Sequence, residues 1–232
     1  MLIAGQTAIV TVAGSGIGRA IACALAGRGL RVLLVGRDEA KLRAAGVPNA
    51  IPLVADVTQQ DGRARVAAAA GDALGVLVHS AGAHARAAVA EQDEAAWQAM
   101  LAVNLHGPVL LTSACLNQLR AARGQVVFIN SSAALQPAGV GMAAYAGSKA
   151  ALRAAADALR AEVNGDGVRV LSVFPGRTDT PMQAAILADE GRRAAPGALL
   201  APADVAMMVL AALALPETAE VTEIVMRPMR KL

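Results

Sequence analysis

The chain has 232 residues, of which 56% are hydrophobic and 2% aromatic, so it is long and apolar enough to bury a sizeable core and is not a disordered protein. The net charge is only +3 and the 21 Lys and Arg residues form no basic run, so nucleic-acid binding is not indicated. The longest apolar run, Val205–Leu215, is too short to cross a bilayer, and no signal peptide is recognisable, so we expect no membrane partner.

Apolar strand-like segments and Ala-rich helical segments alternate at the start of the chain. In order, the predictions are a strand at Gln6–Val12, a helix at Gly16–Gly27, a strand at Arg31–Val35, a helix at Asp38–Ala45, a strand at Ile51–Ala55, a helix at Gln59–Ala70 and a strand at Val76–His79. This alternation predicts a parallel sheet with right-handed crossovers. The strands are apolar throughout, which indicates that helices cover both faces.

The same alternation continues to the end of the chain. The predictions are a helix at Asp93–Leu119, a strand at Gln125–Asn130, a helix at Ala143–Val163, a strand at Val168–Phe174, helices at Pro181–Glu190 and Ala203–Leu215, and a strand at Glu223–Arg227. No repeat or linker divides the chain. We therefore predict one α/β domain over residues 1–232, a doubly wound Rossmann-type fold with a parallel seven-stranded sheet, and a short lid near residues 181–200.

A glycine-rich loop, Thr11 to Gly18, follows the first strand and opens the first helix. Backbone N–H groups at a helix start bind a pyrophosphate, and glycines let the phosphates approach closely. The spacing is not G-x-G-x-x-G, because Arg19 occupies the third position. A turn that holds no ligand is the alternative.

Tyr145 and Lys149 lie four residues apart and therefore on one face of a predicted helix. This spacing also occurs by chance, but Tyr145 is the only tyrosine and Lys149 is one of three lysines. A phenol with a pKa of about 10 is a poor base, and an ammonium about 4 Å away would lower that pKa by about 3. The pair is therefore a candidate for proton transfer.

These motifs together resemble the short-chain dehydrogenase/reductase family. Gly16, Ile17 and Gly18 match the family loop T-G-x-x-x-G-I-G, but Val12 stands where the family has its first glycine. The resemblance spans Thr7 to about Pro228, because Ala81 and Gly82 match the end of N-N-A-G and Pro175–Thr180 fits P-G-x-x-x-T. Val12 either keeps a β-like φ while Gly14 supplies the bend, or weakens cofactor binding.

The resemblance implies a catalytic group of Asn104, Ser132, Tyr145 and Lys149. Tyr145 would be the acid/base, and Lys149 would also hydrogen-bond the nicotinamide ribose. Ser132 lies 13 residues before Tyr145 and would hold the substrate oxygen, with Ser131 as the adjacent candidate. The backbone carbonyl of Asn104 would hold a relay water, or its side chain would bond a neighbouring loop.

The family also implies the cofactor contacts. They are Gly14, Ser15, Gly16, Ile17, Gly18, Arg37, Asp56, Val57, Ala81, Gly82, Tyr145, Lys149, Pro175, Gly176, Thr178 and Thr180. Arg37 follows Gly36, the position of the acid in NAD readers, and its guanidinium suits a 2′-phosphate, so NADP is favoured over NAD. Asp38 is either the competing NAD reader or the N-cap of the next helix.

We therefore expect an NADP(H)-dependent carbonyl reductase or alcohol dehydrogenase that acts on a small-molecule carbonyl or alcohol, with no metal ion. A non-catalytic sensor or scaffold that binds a dinucleotide is the alternative, and a purely structural subunit is a third reading. The expected substrate-facing residues are His84, Leu135, Gln136, Met142, Arg177, Met182 and Ile186.

Arg177 would attract an anionic group of the substrate, or it would pair with Asp179 or face solvent. His79 ends a strand and is expected to be packed and hydrogen-bonded rather than catalytic. Cys23 and Cys115 are expected to be reduced, which fits a cytoplasmic protein. The Ala-rich stretch Ala150–Ala158 allows close helix packing, so a homodimer or homotetramer is expected.

Overall fold

The computed structural model describes residues 4–136 and 139–230. The described residues form seven strands: β1 (Thr7–Thr11), β2 (Arg31–Gly36), β3 (Ile51–Val54), β4 (Val76–His79), β5 (Gln125–Ile129), β6 (Arg169–Pro175) and β7 (Glu223–Met226). All neighbouring strands pair in parallel, in the order β3-β2-β1-β4-β5-β6-β7. The prediction of a doubly wound parallel sheet is confirmed.

Nine α-helices connect or flank these strands within the described residues. They are α1 (Gly16–Ala26), α2 (Glu39–Arg43), α3 (Gln60–Ala69), α4 (Glu94–Leu101), α5 (Gly107–Ala114), α6 (Leu116–Ala122), α7 (Ala143–Val163), α8 (Pro181–Asp189) and α9 (Pro202–Leu213). Most predicted boundaries agree to within one to three residues, as expected when frayed ends are assigned.

Successive residues of β1 are buried on opposite faces of the sheet. Val10 packs in a core that includes Ile21 of α1 and Val205 of α9. Its neighbour Ile9 packs in a second core that includes Leu111 of α5 and Leu152 of α7. Helices therefore cover both faces, which explains why the strands are apolar at every position.

The single helix predicted at Asp93–Leu119 is wrong, because the structure divides it. Residues Ala102–His106 form a wider π-helical turn in which the N–H of Gly107 donates to the carbonyl of Ala102. Pro108 follows and has no N–H for the carbonyl four residues back, so a regular helix cannot continue there. A second break lies at Cys115, where φ is −101° and ψ is 5°. Helical structure then continues to Ala122.

The strand order reverses between β1 and β4, and a crevice forms there at the carboxyl ends of the strands. None of the helices in the described ranges is long and apolar enough to cross a membrane by itself. The segments Glu94–Ala114 and Leu116–Ala122 reach that length and apolarity only together, and they are bent by 59°. Both cysteines, Cys23 and Cys115, are free thiols.

Candidate functional site

A cleft of about 490 Å³ opens at the carboxyl ends of β1, β4, β5 and β6. This is the place where doubly wound sheets bind their ligands. The predicted site residues that line it are Ser15, Ile17, Ala81, Gly82, His84, Ser132, Gln136, Met142, Tyr145, Lys149, Pro175, Gly176, Arg177, Thr178, Thr180, Met182 and Ile186. The predicted residues outside its lining are Gly14, Gly16, Gly18, Arg37, Asp56, Val57, Asn104 and Leu135.

Val12 follows β1 directly and has a left-handed backbone conformation. Its φ is +51°, so the expectation of a β-like φ at Val12 with the bend at Gly14 is wrong. Gly14 is not among the positive-φ residues, whereas Gly16 has a φ of +54°. A left-handed conformation costs a residue with a Cβ about 1–2 kcal/mol, and branching at Cβ adds crowding. The side chain of Val12 is 44% exposed and lines the cleft.

The start of α1 lies at the cleft, which Ser15 and Ile17 line. Ser15 is the N-cap, its side chain makes no capping hydrogen bond, and the first turn holds no acidic residue. Gly18 lets this turn approach the strand, because a Cβ there would lie 2.6 Å from the carbonyl oxygen of Val12. Gly16 lies against Thr180, whose Cγ2 would be 3.0 Å from an added Cβ. The glycine loop and the segment after β6 therefore form one anion-receptive corner.

Thr11 ties this loop to the segment after β4, a role that our sequence analysis missed. Its hydroxyl oxygen accepts hydrogen bonds from the N–H groups of Ser80 (3.0 Å) and Ala81 (3.2 Å). It also lies within 3.4 Å of the carbonyl oxygen of Val78, to which it donates. The sequence did place Thr11, a polar residue, at the end of an apolar strand, and this could have indicated a structural hydrogen bond there.

His79 is buried and packed, as we expected. Its Nε2 lies 2.8 Å from Oγ1 of Thr112, and its ring stacks on Phe128 with 4.9 Å between centroids. The Thr112 hydroxyl donates to the carbonyl of Pro108, so Nε2 is the donor toward it. Burial lowers the pKa of His79 to about 3, so the ring is neutral at physiological pH.

The side chains of Tyr145 and Lys149 reach the same cleft from the first turns of α7. Lys149 is only 3% exposed, and its Nζ donates to the carbonyl oxygen of Ile129 at the end of β5 (3.0 Å). Burial lowers the pKa of Lys149 to about 8. The ammonium is thus held between α7 and the sheet beside the catalytic candidate.

The pKa of Tyr145 is raised, which is opposite to our expectation. Burial raises it, and a hydrogen bond with the side chain of Ser131 acts in the lowering direction. The ammonium of Lys149 instead donates to the carbonyl oxygen of Ile129. The spacing of four residues placed the two groups on one face but did not reveal where the ammonium points.

Ser131 and Ser132 both line the cleft beside Tyr145. The spacing favoured Ser132, whereas the hydroxyl that acts to lower the pKa of Tyr145 is that of Ser131. Ser131 also accepts from the N–H of Ala133 (3.2 Å), and Ser132 begins a short 3₁₀ turn, Ser132–Ala134. Either hydroxyl is therefore a candidate to hold a substrate oxygen.

Asn104 is fully buried in the π-helical turn. Its Oδ1 accepts from the N–H of Ala83 (2.8 Å), and its Nδ2 donates to the carbonyl of Ala83 (3.0 Å) and to Ser148 Oγ (2.9 Å). Ser148 Oγ in turn donates to the carbonyl of Tyr145 (2.7 Å). The side chain thus bonds a neighbouring loop, one of the two alternatives we considered, and braces the helix that carries Tyr145.

Arg37, Asp38 and Asp56 lie at the ends of β2 and β3, beyond the glycine loop. Asp38 caps α2, because its Oδ1 accepts from the N–H of Lys41 (3.1 Å). Burial acts to raise the pKa of Asp56, but hydrogen bonds from Thr58 and the charge of Arg37 outweigh it, so that pKa is lowered. Arg37 is exposed, and no hydrogen bond or ion pair of its side chain is found within the described residues.

Arg177 pairs with Glu190 rather than with Asp179. Its Nη1 and Nη2 donate to the two carboxylate oxygens at 2.9 and 2.8 Å. Arg86, from the loop after β4, donates to the same carboxylate at 3.0 Å. Both arginines and Glu190 line the cleft. Our sequence analysis missed Arg86 and Glu190, since a charged loop residue carries no signal of a partner about 100 residues away.

The sequence is similar to those of known proteins over most of its length. A model of the family described as short chain dehydrogenase matches residues 6–191. An uncharacterized short-chain type dehydrogenase/reductase of Sinorhizobium fredii is 34% identical over 232 residues, with 96% of this chain and 91% of the relative covered.

Solved structures share the fold over nearly the whole chain. An alcohol dehydrogenase of the archaeon Thermococcus sibiricus, complexed with 5-hydroxy-NADP, is 26% identical and superposes with a TM-score of 0.87, and 98% of each chain is covered. A metagenomic short-chain oxidoreductase in complex with NADP is 31% identical, with a TM-score of 0.82 and coverage of 98% of this chain and 99% of that one.

Proposed function

This chain belongs to the short-chain dehydrogenase/reductase family. We propose that it transfers a hydride between NADP(H) and a small-molecule carbonyl or alcohol, with Tyr145 as the acid/base. One observation carries the proposal. The side chains of Tyr145, Lys149 and Ser131 meet in a cleft at the point where the strand order reverses, next to the receptive start of α1. An anion corner beside a buried proton-transfer group is the arrangement that a dinucleotide-dependent oxidoreductase needs.

The residues present fit a dinucleotide. The first turn of α1 offers N–H groups that no capping side chain occupies, and Gly18 permits the close packing of this turn against the carbonyl oxygen of Val12. Thr180 caps α8 and lies against Gly16, so it would contact the cofactor from the opposite side. When bound there, the nicotinamide supplies the hydride for reduction or accepts it in oxidation.

Proton transfer falls to residues of this chain. In reduction the phenol of Tyr145 donates its proton to the developing alkoxide oxygen, and in oxidation the phenolate takes the proton back. The hydroxyl of Ser131 or Ser132 would donate a hydrogen bond to the same oxygen. Burial keeps the Tyr145 phenol protonated, since it raises the pKa, and this favours its role as the acid in reduction.

The residues that follow β2, Arg37 and Asp38, support NADP rather than NAD as the cofactor. Asp38, the acid that would read an unphosphorylated ribose, already accepts a hydrogen bond as the cap of α2. Arg37 is exposed next to it and is suited to a phosphate in two-point fashion. Two solved relatives carry NADP or a derivative of it.

The test is the oxidation of NADPH in the presence of a panel of aldehydes and ketones. The measured quantity is the loss of the absorbance of the reduced nicotinamide. We expect turnover with at least one carbonyl, and a loss of about a hundredfold to ten-thousandfold in Tyr145→Phe. The substitution of Tyr145 by phenylalanine keeps the aromatic ring and removes only the hydroxyl group. Equal turnover of the variant would contradict the proposed role of Tyr145.

A non-catalytic dinucleotide-binding protein is the second candidate function, and one observation favours it. Val12 holds a left-handed φ where the family has a glycine, and its side chain stands in the cleft wall. Binding of NADPH by calorimetry, together with no turnover of any carbonyl in the panel, is the result that this alternative predicts.

We also propose that the chain works as a homodimer or homotetramer. Met207 and Met208 of α9 and Val225 of the edge strand β7 are exposed apolar residues. Apolar surface of this kind is typical of a subunit contact. Light scattering of the purified protein tests this proposal, and a monomer at micromolar concentration would contradict it.

A further inference from the structure

Two arginines from distant parts of the chain converge on one carboxylate in the wall of the cleft. Arg177 lies in the turn after β6, Arg86 in the loop after β4, and Glu190 at the C-terminal end of α8. Glu190 accepts three hydrogen bonds of 2.8 to 3.0 Å from the two guanidinium groups, and its side chain is 13% exposed. All three residues line the same cleft as Tyr145.

The cluster keeps an unbalanced positive charge. Two guanidinium groups face one carboxylate, and each guanidinium carries five N–H donors in a planar fork. Arg177 uses two nitrogen atoms on Glu190, while Arg86 uses one on Glu190 and one on the carbonyl of Val140 (3.0 Å). Their side chains are 34% and 38% exposed. N–H donors of both guanidinium groups therefore remain available to a ligand in the cleft.

The charges of Arg86 and Arg177 affect the pKa of His84, which contacts the phenol of Tyr145. The ring of His84 meets that of Tyr145 edge to face, with 4.9 Å between centroids. Burial lowers the pKa of His84, and the charges of Arg86 and Arg177 lower it further, against the opposite effect of Asp189 and Glu190. His84 is thus neutral at physiological pH, and the positive charge on this side of the cleft is that of the arginines.

We propose that Arg86 and Arg177 together bind a carboxylate of the substrate. Glu190 is the internal carboxylate that pairs with both guanidinium groups in the absence of substrate, and it either shares them with the substrate carboxylate or is displaced by it. The inference rests on the proposed function and specifies its substrate class as oxo acids and the corresponding hydroxy acids. In reduction the carbonyl carbon gains the hydride from the cofactor and the carbonyl oxygen gains the proton of Tyr145. The carboxylate is unchanged and serves only to orient the substrate.

Matched acids and esters test this assignment. We choose pyruvate, acetoacetate and levulinate with their methyl esters, so that the distance from the carbonyl to the carboxylate varies while the carbonyl chemistry is similar. The measured quantity is the ratio of kcat/KM for an acid to that for its ester. We expect at least one acid to exceed its ester by about tenfold, a difference typical of one charge-assisted contact.

The variants are expected to move this ratio in opposite directions. Arg177→Gln and Arg86→Gln should each lower it by about tenfold, with partial recovery in Arg177→Lys, which keeps the charge but not the fork. Glu190→Gln should raise the ratio by several-fold, because it removes the competing carboxylate. An ion pair that only stabilises α8 would instead lower the activity on acid and ester alike in all of these variants.

The exposed pair Arg123–Glu217, at 3.8 Å and remote from the cleft, supplies matched controls. Arg123→Gln and Glu217→Gln should leave the ratio unchanged. The proposal also predicts that butyrate and hexanoate compete with a neutral ketone, and that this competition is weaker in Arg177→Gln. It is overturned if no acid exceeds its ester and these carboxylates do not compete.

Failure of the proposed function is distinguishable from failure of this inference. If no carbonyl compound is reduced, the oxidoreductase proposal fails by itself. Calorimetric titration of hexanoate into the protein with NADPH then still decides whether the arginines bind a carboxylate. Heat of binding that is lost in Arg177→Gln and kept in Arg123→Gln supports the site, and equal or absent heat in all three proteins overturns it.

Discussion

The ammonium of Lys149 is bound to the carbonyl oxygen of Ile129 at 3.0 Å, so α7 is attached to the carboxyl end of β5 directly beneath the cleft. Lys149 is buried, and its pKa falls from an ordinary 10.5 to about 8. The folded protein therefore releases the lysine proton at a lower pH than the unfolded chain does. This contact has a measurable consequence for stability.

Lys149→Met is expected to gain stability relative to the wild type at neutral pH, and to lose that gain as the pH rises. Below about pH 8 the buried charge costs the wild type ~3 kcal/mol, and the cost disappears as the pH approaches 10.5, where the unfolded chain also loses the proton. Loss of the bond to Ile129 lowers the stability of the variant by a constant amount at all pH values. Urea unfolding at several pH values measures the difference.

The sign of the pH dependence separates burial from the hydrogen bond. Lys41→Met is the control, because the side chain of Lys41 is 79% exposed. We expect no comparable change in the stability difference of that control. A difference between Lys149→Met and the wild type that stays constant from pH 7 to pH 10 would show that the buried charge has no cost.

Val12→Gly is expected to stabilise the fold by about 1 kcal/mol, since glycine adopts a left-handed φ without steric cost and only part of the gain is lost to backbone entropy. Removal of the side chain from the cleft wall should also tighten NADPH binding about threefold or more. Urea unfolding and calorimetric titration measure the two effects.

Two controls separate backbone strain from bulk. Arg123→Gly relieves a φ of +45° far from the cleft, so it should stabilise the fold without changing the NADPH affinity. Val12→Ala keeps a Cβ in the left-handed conformation but shortens the side chain. If Val12→Ala binds NADPH as tightly as Val12→Gly, bulk rather than strain limits the affinity.

Arg37→Ala is expected to weaken NADPH binding about tenfold to a hundredfold, because one charge-assisted contact with phosphate is worth about 1.5–3 kcal/mol. NADH has no 2′-phosphate, so its affinity should hardly change. Arg43→Ala is the matched control, since Arg43 is exposed and already pairs with Glu39. Equal losses for NADPH and NADH would place Arg37 away from the phosphate.

His79→Phe is expected to reduce the acid sensitivity of the fold. The pKa of His79 is about 3 in the folded protein and 6.5 without burial, so the unfolded chain binds the proton first as the pH falls. The wild type should therefore lose ~3 kcal/mol between neutral pH and about pH 4 through this group alone. Phenylalanine retains the stack on Phe128 and does not titrate.

Urea unfolding at pH 7 and about pH 4 measures this difference. His106→Gln is the control, because it removes an imidazole that is exposed rather than buried. If His79→Phe and the wild type lose equal stability on acidification, the buried imidazole is charged in the folded state and the assignment of a neutral ring fails.

The order of the elements and the parallel sheet could be predicted because apolar runs and helical periodicity are local properties of the chain. The cap at Asp38 was one of two alternatives for that residue, and the packing of His79 was expected from its place at the end of an apolar strand. The break between α4 and α5 was missed, although Pro108 marked it, because an apolar helical pattern continues through the π-helical turn. Backbone hydrogen bonds, and not the apolar pattern, decide where a helix widens.

The groups available for chemistry are visible in the primary structure: the glycine loop, the Tyr145–Lys149 spacing and a serine at the end of β5. The contacts of those groups depend on how distant segments pack. This packing turned Lys149 toward Ile129, gave Val12 a left-handed φ, and brought Arg86 and Arg177 onto Glu190. Spacing along a helix constrains direction within one element, whereas burial and the approach of distant loops set charge and hydrogen bonding. Those long-range terms decide the pKa values and the substrate side of the cleft.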